Sequence, residues 1–142
     1  MTVTVEVAVI IKRKLTLNKK SVLIVGDIVA IAILTFIGFA THGEAGFSFI
    51  PRMAAIFFPS VVAWFILAPW FGLFDLQVIK DFRIFWRIPL AVLFVAPLAL
   101  AIRGIILNAP IVPIFAIVFT ATNSLGLLVW RTIHKFIFKA ES

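Results

Sequence analysis

The chain has no cysteine and no tyrosine among its 142 residues, only two histidines, and six acidic residues against thirteen Lys and Arg. Without cysteine there can be no disulfide framework, thiolate metal site, Cys nucleophile or S-palmitoylation. Scarce charge excludes more. Charged residues make up 13% of the chain, hydrophobic ones 63%, and the mean hydropathy is +1.20. A soluble domain of this size has a large surface for its volume and needs a polar shell, which these residues cannot supply. The composition is that of an integral membrane protein.

The net charge of +7 does not point to nucleic acid. The basic residues cluster at the ends of apolar segments, and no recognition motif accompanies them. They read as topology determinants that face an anionic leaflet.

Four stretches reach the roughly 20 apolar residues that a bilayer core requires: about 22–40, 53–74, 84–107 and 111–132. They leave a basic segment at 1–20 and a tail at 133–142. Gly43, Gly46 and Pro51 mark the first connection and Asn108-Ala109-Pro110 a tight turn before the last span. The expected fold is all-α, an antiparallel four-helix transmembrane bundle. Eleven Lys and Arg fall in segment 1–20, in the loop between spans two and three with its flank, and in the tail; only Arg52 and Arg103 lie opposite. By the positive-inside rule both termini are cytoplasmic. Trp70, Trp86 and Trp130 fall near the same interface, where indole prefers to sit.

The N-terminus is not expected to be a secretory signal peptide, because its charges follow the apolar run instead of preceding it. From Thr2 to Val9 the chain alternates, with Val3, Val5, Val7 and Val9 on one side, the period of a strand. With no partner strand elsewhere, the expectation is a tail on the membrane surface or a strand that docks another subunit.

Polar residues inside the spans need an account. Asp27 lies roughly 9 Å into the first span at about 1.5 Å per residue. The last span brings Thr120 and Asn123 to a comparable depth, so Asp27 is expected to bond Asn123, with Arg87 or Arg131 reaching in from below. Asp27 then reads either as a protonatable transport site or as a structural clamp. Arg103, His42, Glu44 and Arg52 gather at the outer mouth, as an anion-attracting vestibule or as a rim where Arg103 pairs with Glu44. A lone loop histidine is no haem or pigment ligand by itself, and neither a metal nor a cofactor is expected. Small residues favour close helix approach: Gly26 and Ala30 in span one, Pro59 and Ala63 in span two. Pro59, Pro69 and Pro97 each free a backbone carbonyl that needs another partner.

No catalytic constellation is present, and Asp75 and Asp81 alone do not make a metal site, so the chain is not read as an enzyme. Gly26-Asp27, His42-Gly43, Pro59 with Trp64, and the polar patch before Gly126 resemble a family of small prokaryotic four-helix membrane proteins with no assigned activity. The resemblance covers about residues 21–132 and implies four spans in a bacterial or archaeal membrane. Small multidrug exporters are similar in size, but their helix-one carboxylate is a glutamate at another depth. Fluoride channels carry a Gly-Arg-Tyr stretch that a chain without tyrosine cannot match. Two functions remain open: a small-solute or ion transporter, proton-coupled or passive, working as an oligomer, and a non-catalytic accessory subunit of a larger membrane complex.

Overall fold

The computed structural model describes residues 2–139, and among them every regular element is helical. Four long helices dominate: α1 (Thr2–Thr41), α2 (Ile50–Leu67), α3 (Arg87–Leu107) and α4 (Pro113–Lys139). Together with the single 3-10 turns that extend α2 and α3, all four are long and apolar enough to cross a membrane. Each helix packs against its neighbours in sequence, and α4 closes the ring onto α1.

Ring geometry explains which residues are buried. Leu23, Asp27 and Ile31 form one stripe on α1, and Asn123, Leu127, Arg131 and His134 form one on α4, each at the three- and four-residue spacing of a single helix face. Alanine recurs on the buried faces of α2 and α3: Ala63, Ala91, Ala96 and Ala99 are fully buried. Small side chains let backbones approach where lipid provides no hydrophobic drive between helices. Outward, Val25, Val29, Phe58, Val62, Phe94 and Ile117 are exposed. An apolar exterior of this kind is stable in hydrocarbon and would be a liability in water.

The α1–α4 contact is reciprocal. At Gly26 the indole of Trp130 lies where a Cβ would be, and at Gly126 the methyls of Leu34 fill the same position. A glycine on each helix receives a large side chain from the other. Ala30, in contrast, packs half-buried against the core.

Residues 2–9 differ from expectation: they are helical and continuous with the first span. A lone strand leaves its backbone groups unpaired, whereas a helix satisfies them within the segment. Extending an existing helix also needs no new nucleus, which outweighs the low helix preference of the valines. At about 1.5 Å per residue, α1 is roughly 60 Å long, about twice the hydrocarbon thickness. Residues 2–18 are exposed along its projecting part.

Prolines set the other ends. Pro59 and Pro97 sit inside α2 and α3. Pro69 instead ends α2 early and opens a 3-10 turn, Ala68–Phe71. Gly72 stops that turn at φ +70°, with its N–H on the Ala68 and Pro69 carbonyls. Asn108 ends α3 in the left-handed region, its N–H shared by the Gly104 and Ile105 carbonyls. Gly72→Ala is expected to lower stability by about 1–2 kcal/mol, because a Cβ opposes a left-handed φ; it would also stand 3.3 Å from an Arg87 nitrogen. Thermal unfolding in detergent checks this.

Candidate functional site

A charged cluster closes the bundle where α1, α2 and α4 meet. Asp27 is fully buried and Arg131 is 3% exposed. Arg131 Nε donates to Asp27 Oδ1 at 3.0 Å and its second terminal nitrogen to Oδ2 at 2.7 Å. This bidentate fork matches guanidinium to carboxylate geometry. Trp64, also fully buried, donates its indole N–H to Oδ2 at 2.8 Å. The remaining Arg131 nitrogen donates to the Leu73 carbonyl. The guanidinium also faces the rings of Trp64 and Phe74, 5.7 and 5.3 Å from their centroids. Each charge is therefore paired and hydrogen-bonded, the condition under which burial is tolerated. The indole N–H of Trp130 is buried without a hydrogen-bond partner among the described residues.

This arrangement corrects the expected pairing of Asp27 with Asn123. The Asn123 amide donates to the Phe119 carbonyl of its own helix at 2.9 Å, and the Thr120 hydroxyl donates to the Ala116 carbonyl at 2.7 Å. Two helical turns separate Asn123 from Arg131 on one face of α4, and the carboxylate meets the cation instead of the amide. Arg87 is not the partner either: it donates to the Phe71 carbonyl at 3.3 Å. Arg87 and Arg131 thus satisfy carbonyls of the segment where α2 has ended.

The outer-mouth residues do not form one group. Glu44 pairs with Arg52 at 3.9 Å, both solvent-accessible, a weak surface pair. Arg103 does not reach Glu44. The tight turn at Asn108 brings the start of α4 beside it, and its guanidinium lies 5.4 Å from the Phe115 ring centroid, with Nε buried and unpartnered. His42 is exposed in the first connection. Asp75 and Asp81 accept bonds from the Gln77 and Arg83 backbone N–H groups. Among the described residues no three His, Cys, Asp or Glu come close enough to hold a metal.

Beneath the clamp lies a cavity of about 620 Å³, within the roughly 300–1,000 Å³ of small-molecule sites. Arg131 and His134 line its inner end, with Lys19, Lys80 and Lys135 around it. Leu23, Leu73, Phe85, Ile88 and Phe138 make its apolar wall, and no Asp or Glu among the described residues lines it. His134 Nε2–H donates to the Lys19 carbonyl at 3.1 Å, tying α4 to α1. The Lys135 ammonium sits 3.4 Å over the Phe82 ring, held by cation–π attraction.

The sequence pointed to Asp27 as a buried charge and to Trp64 as part of a motif, but did not connect them. The available signal was electrostatic: a buried carboxylate needs a cation, and Arg131 follows Leu127 by one turn on the inward face of α4. The Leu73 carbonyl had no signal, because its position depends on how the chain turns after Pro69.

These features define a multi-pass membrane protein whose helices are joined by a buried ion pair above a cationic cavity. The chain belongs to the family described as a protein of unknown function, DUF3054, which matches residues 24–134. That span takes in Asp27, Trp64 and Arg131. No curated protein and no solved structure matches the chain.

Proposed function

We propose that the protein is a small transporter of anionic solutes in a prokaryotic cytoplasmic membrane. In this reading the four helices run antiparallel, with both termini and the α2–α3 loop in the cytoplasm, and the bundle acts as an oligomer. The observation that carries it is the cavity: cationic, without a lining carboxylate among the described residues, and ending at Arg131. Beyond Arg131, the buried Ile31, Trp64 and Leu127 close the route towards the bundle centre. A chamber that is accessible from one side and sealed at a polar switch suits one state of an alternating-access cycle.

Arg131 supplies the switch. An anion that reaches it competes with Asp27 for the guanidinium. A carboxylate so released is a buried charge without a partner, and protonation removes that charge. Proton coupling therefore has a place in the scheme, although Asp27 is a fully paired group at rest. Four helices enclose little volume, so a complete path calls for a second copy.

A second reading, accessory subunit of a larger membrane complex, rests on the N-terminal part of α1. Val3, Val7, Ile10 and Ile11 are exposed there among the described residues, and a partner would cover them.

The mass of the assembly extracted gently from native membranes separates the two. A homodimer is the expected result and leads on to flux assays in proteoliposomes. Reproducible recovery with a larger assembly at fixed stoichiometry, released by deleting residues 2–11, would overturn the transport reading.

A further inference from the structure

The cavity is neither a purely polar anion site nor a purely apolar groove. Its cations lie at the rim and inner end, while leucine, isoleucine and phenylalanine side chains form a continuous wall beside them. A small hydrated anion would leave that wall unused, and a neutral lipid would leave the lysines without a counter-charge. A phosphate ester that carries a hydrocarbon chain satisfies both. Basic pockets between membrane helices on the cytoplasmic side are where such headgroups bind.

We propose that this cavity is a binding site for an anionic glycerophospholipid of the inner leaflet. Its phosphate lies between Lys19 and Lys80, and an acyl chain lies along Leu23, Phe85 and Ile88. The assignment rests on the orientation and the anion-accepting cavity proposed above. Arg131 is occupied by Asp27 and the Leu73 carbonyl, so the lysines, not the arginine, provide first contact. Lys80 is exposed and Lys19 half-exposed, free to meet a headgroup without disturbing the core.

The test is equilibrium binding to the full-length purified protein, read as retained ligand by native mass spectrometry. Short-chain phosphatidylglycerol is compared with short-chain phosphatidylcholine, with glycerol 3-phosphate and with inorganic phosphate. Phosphatidylglycerol is expected to bind, with the other three much weaker. Lys19→Gln combined with Lys80→Gln should weaken it about 30-fold, from the electrostatic contribution of two lysines near a headgroup. The pair Lys12→Gln and Lys14→Gln removes the same charge outside the cavity and should leave binding within about twofold. Ile79→Glu, which puts a carboxylate on the cavity lining, should abolish binding while the helical circular dichroism stays unchanged.

Equal binding of phosphatidylcholine, binding of inorganic phosphate as tight as that of the lipid, or equal losses in the two lysine pairs would each overturn the assignment. Flux assays on the same preparation keep the two ideas separate. Lipid retained by protein that transports nothing supports this site while sinking the transport reading. Flux of a small anion without lipid selectivity does the reverse.

Discussion

Asp27→Ala is expected to destabilise the bundle by about 3–5 kcal/mol, the cost of stranding one member of a buried ion pair. Arg131 would stay 3% exposed with its charge unmatched, and the Trp64 N–H would lose its acceptor. Asp27→Asn keeps one oxygen for a donor but turns an NH2 group against Arg131, which has only donors to offer. The asparagine variant therefore carries a folding cost too, and a loss of activity in it would not by itself identify a proton site. The informative comparison is Asp27→Leu with Arg131→Leu. Removing both charges together is expected to recover most of the loss, because well-packed apolar replacement of a buried pair is close to neutral. Recovery stays incomplete, since the Leu73 carbonyl and Trp64 N–H are both left without partners.

Denaturation in mixed micelles, followed by circular dichroism, checks the order: wild type, then the double variant, then the single ones. A single Asp27→Ala variant as stable as wild type would mean that the pair does not hold the helices together. The double variant also separates the two functional readings. It removes the arginine that an anion must reach, so transport should vanish from a folded protein. An accessory subunit would keep its partner, because neither residue lies on the exposed part of α1.

The four helices were legible in the sequence because a membrane span needs only length and apolarity, both local properties. The turn at Asn108 was legible for a similar reason, since it acts through its own backbone freedom, whereas the break at Gly72 fell inside the second expected span. Residues 2–9 were misread because alternation records side-chain spacing, while the state of the backbone depends on whether its N–H and C=O groups find partners. Position 27 announced a buried charge, yet its partner stands 104 residues away, and depth alone pointed to Asn123, with Arg87 or Arg131 only reaching in from below. Charge complementarity decides between them, since an amide gives a carboxylate one hydrogen bond and a guanidinium gives two with opposite charge. The cavity was not legible at all. It arises from the bend that Pro69 and Gly72 impose after α2, which carries Ile79, Lys80 and Phe82 beside the middle of α1, at Lys19 and Leu23, and the last turns of α4.

The same clamp depends on a steric fit that a single methyl group should break. An ideal Cβ at Gly26 would lie 1.7 Å from an atom of the Trp130 six-membered ring and 2.1 and 2.5 Å from two others. At Gly126 the nearest atoms are the Leu34 methyl carbons at 2.4 and 2.7 Å. The contacts look alike but differ in what can yield. Leu34 is half-exposed on the bundle surface and can rotate its methyls outward. Trp130 is a rigid ring, wedged against the His134 imidazole at 5.8 Å between centroids, and must move as a whole. Gly26→Ala is therefore expected to lower stability by about 3 kcal/mol, the upper end for overpacking, despite the better helix propensity of alanine. Gly126→Ala should fall within about 1 kcal/mol of wild type, where propensity and a small shift of Leu34 nearly cancel. Trp130→Leu frees the space above Gly26, so Gly26→Ala made in that background should cost little, a coupling of more than about 1 kcal/mol in a double-mutant cycle. Additive losses would show that α1 and α4 do not approach this closely. Such an approach matters to the charged cluster because Asp27 follows Gly26 directly: a ring forced off the glycine moves α1 and α4 apart, and the carboxylate then withdraws from Arg131.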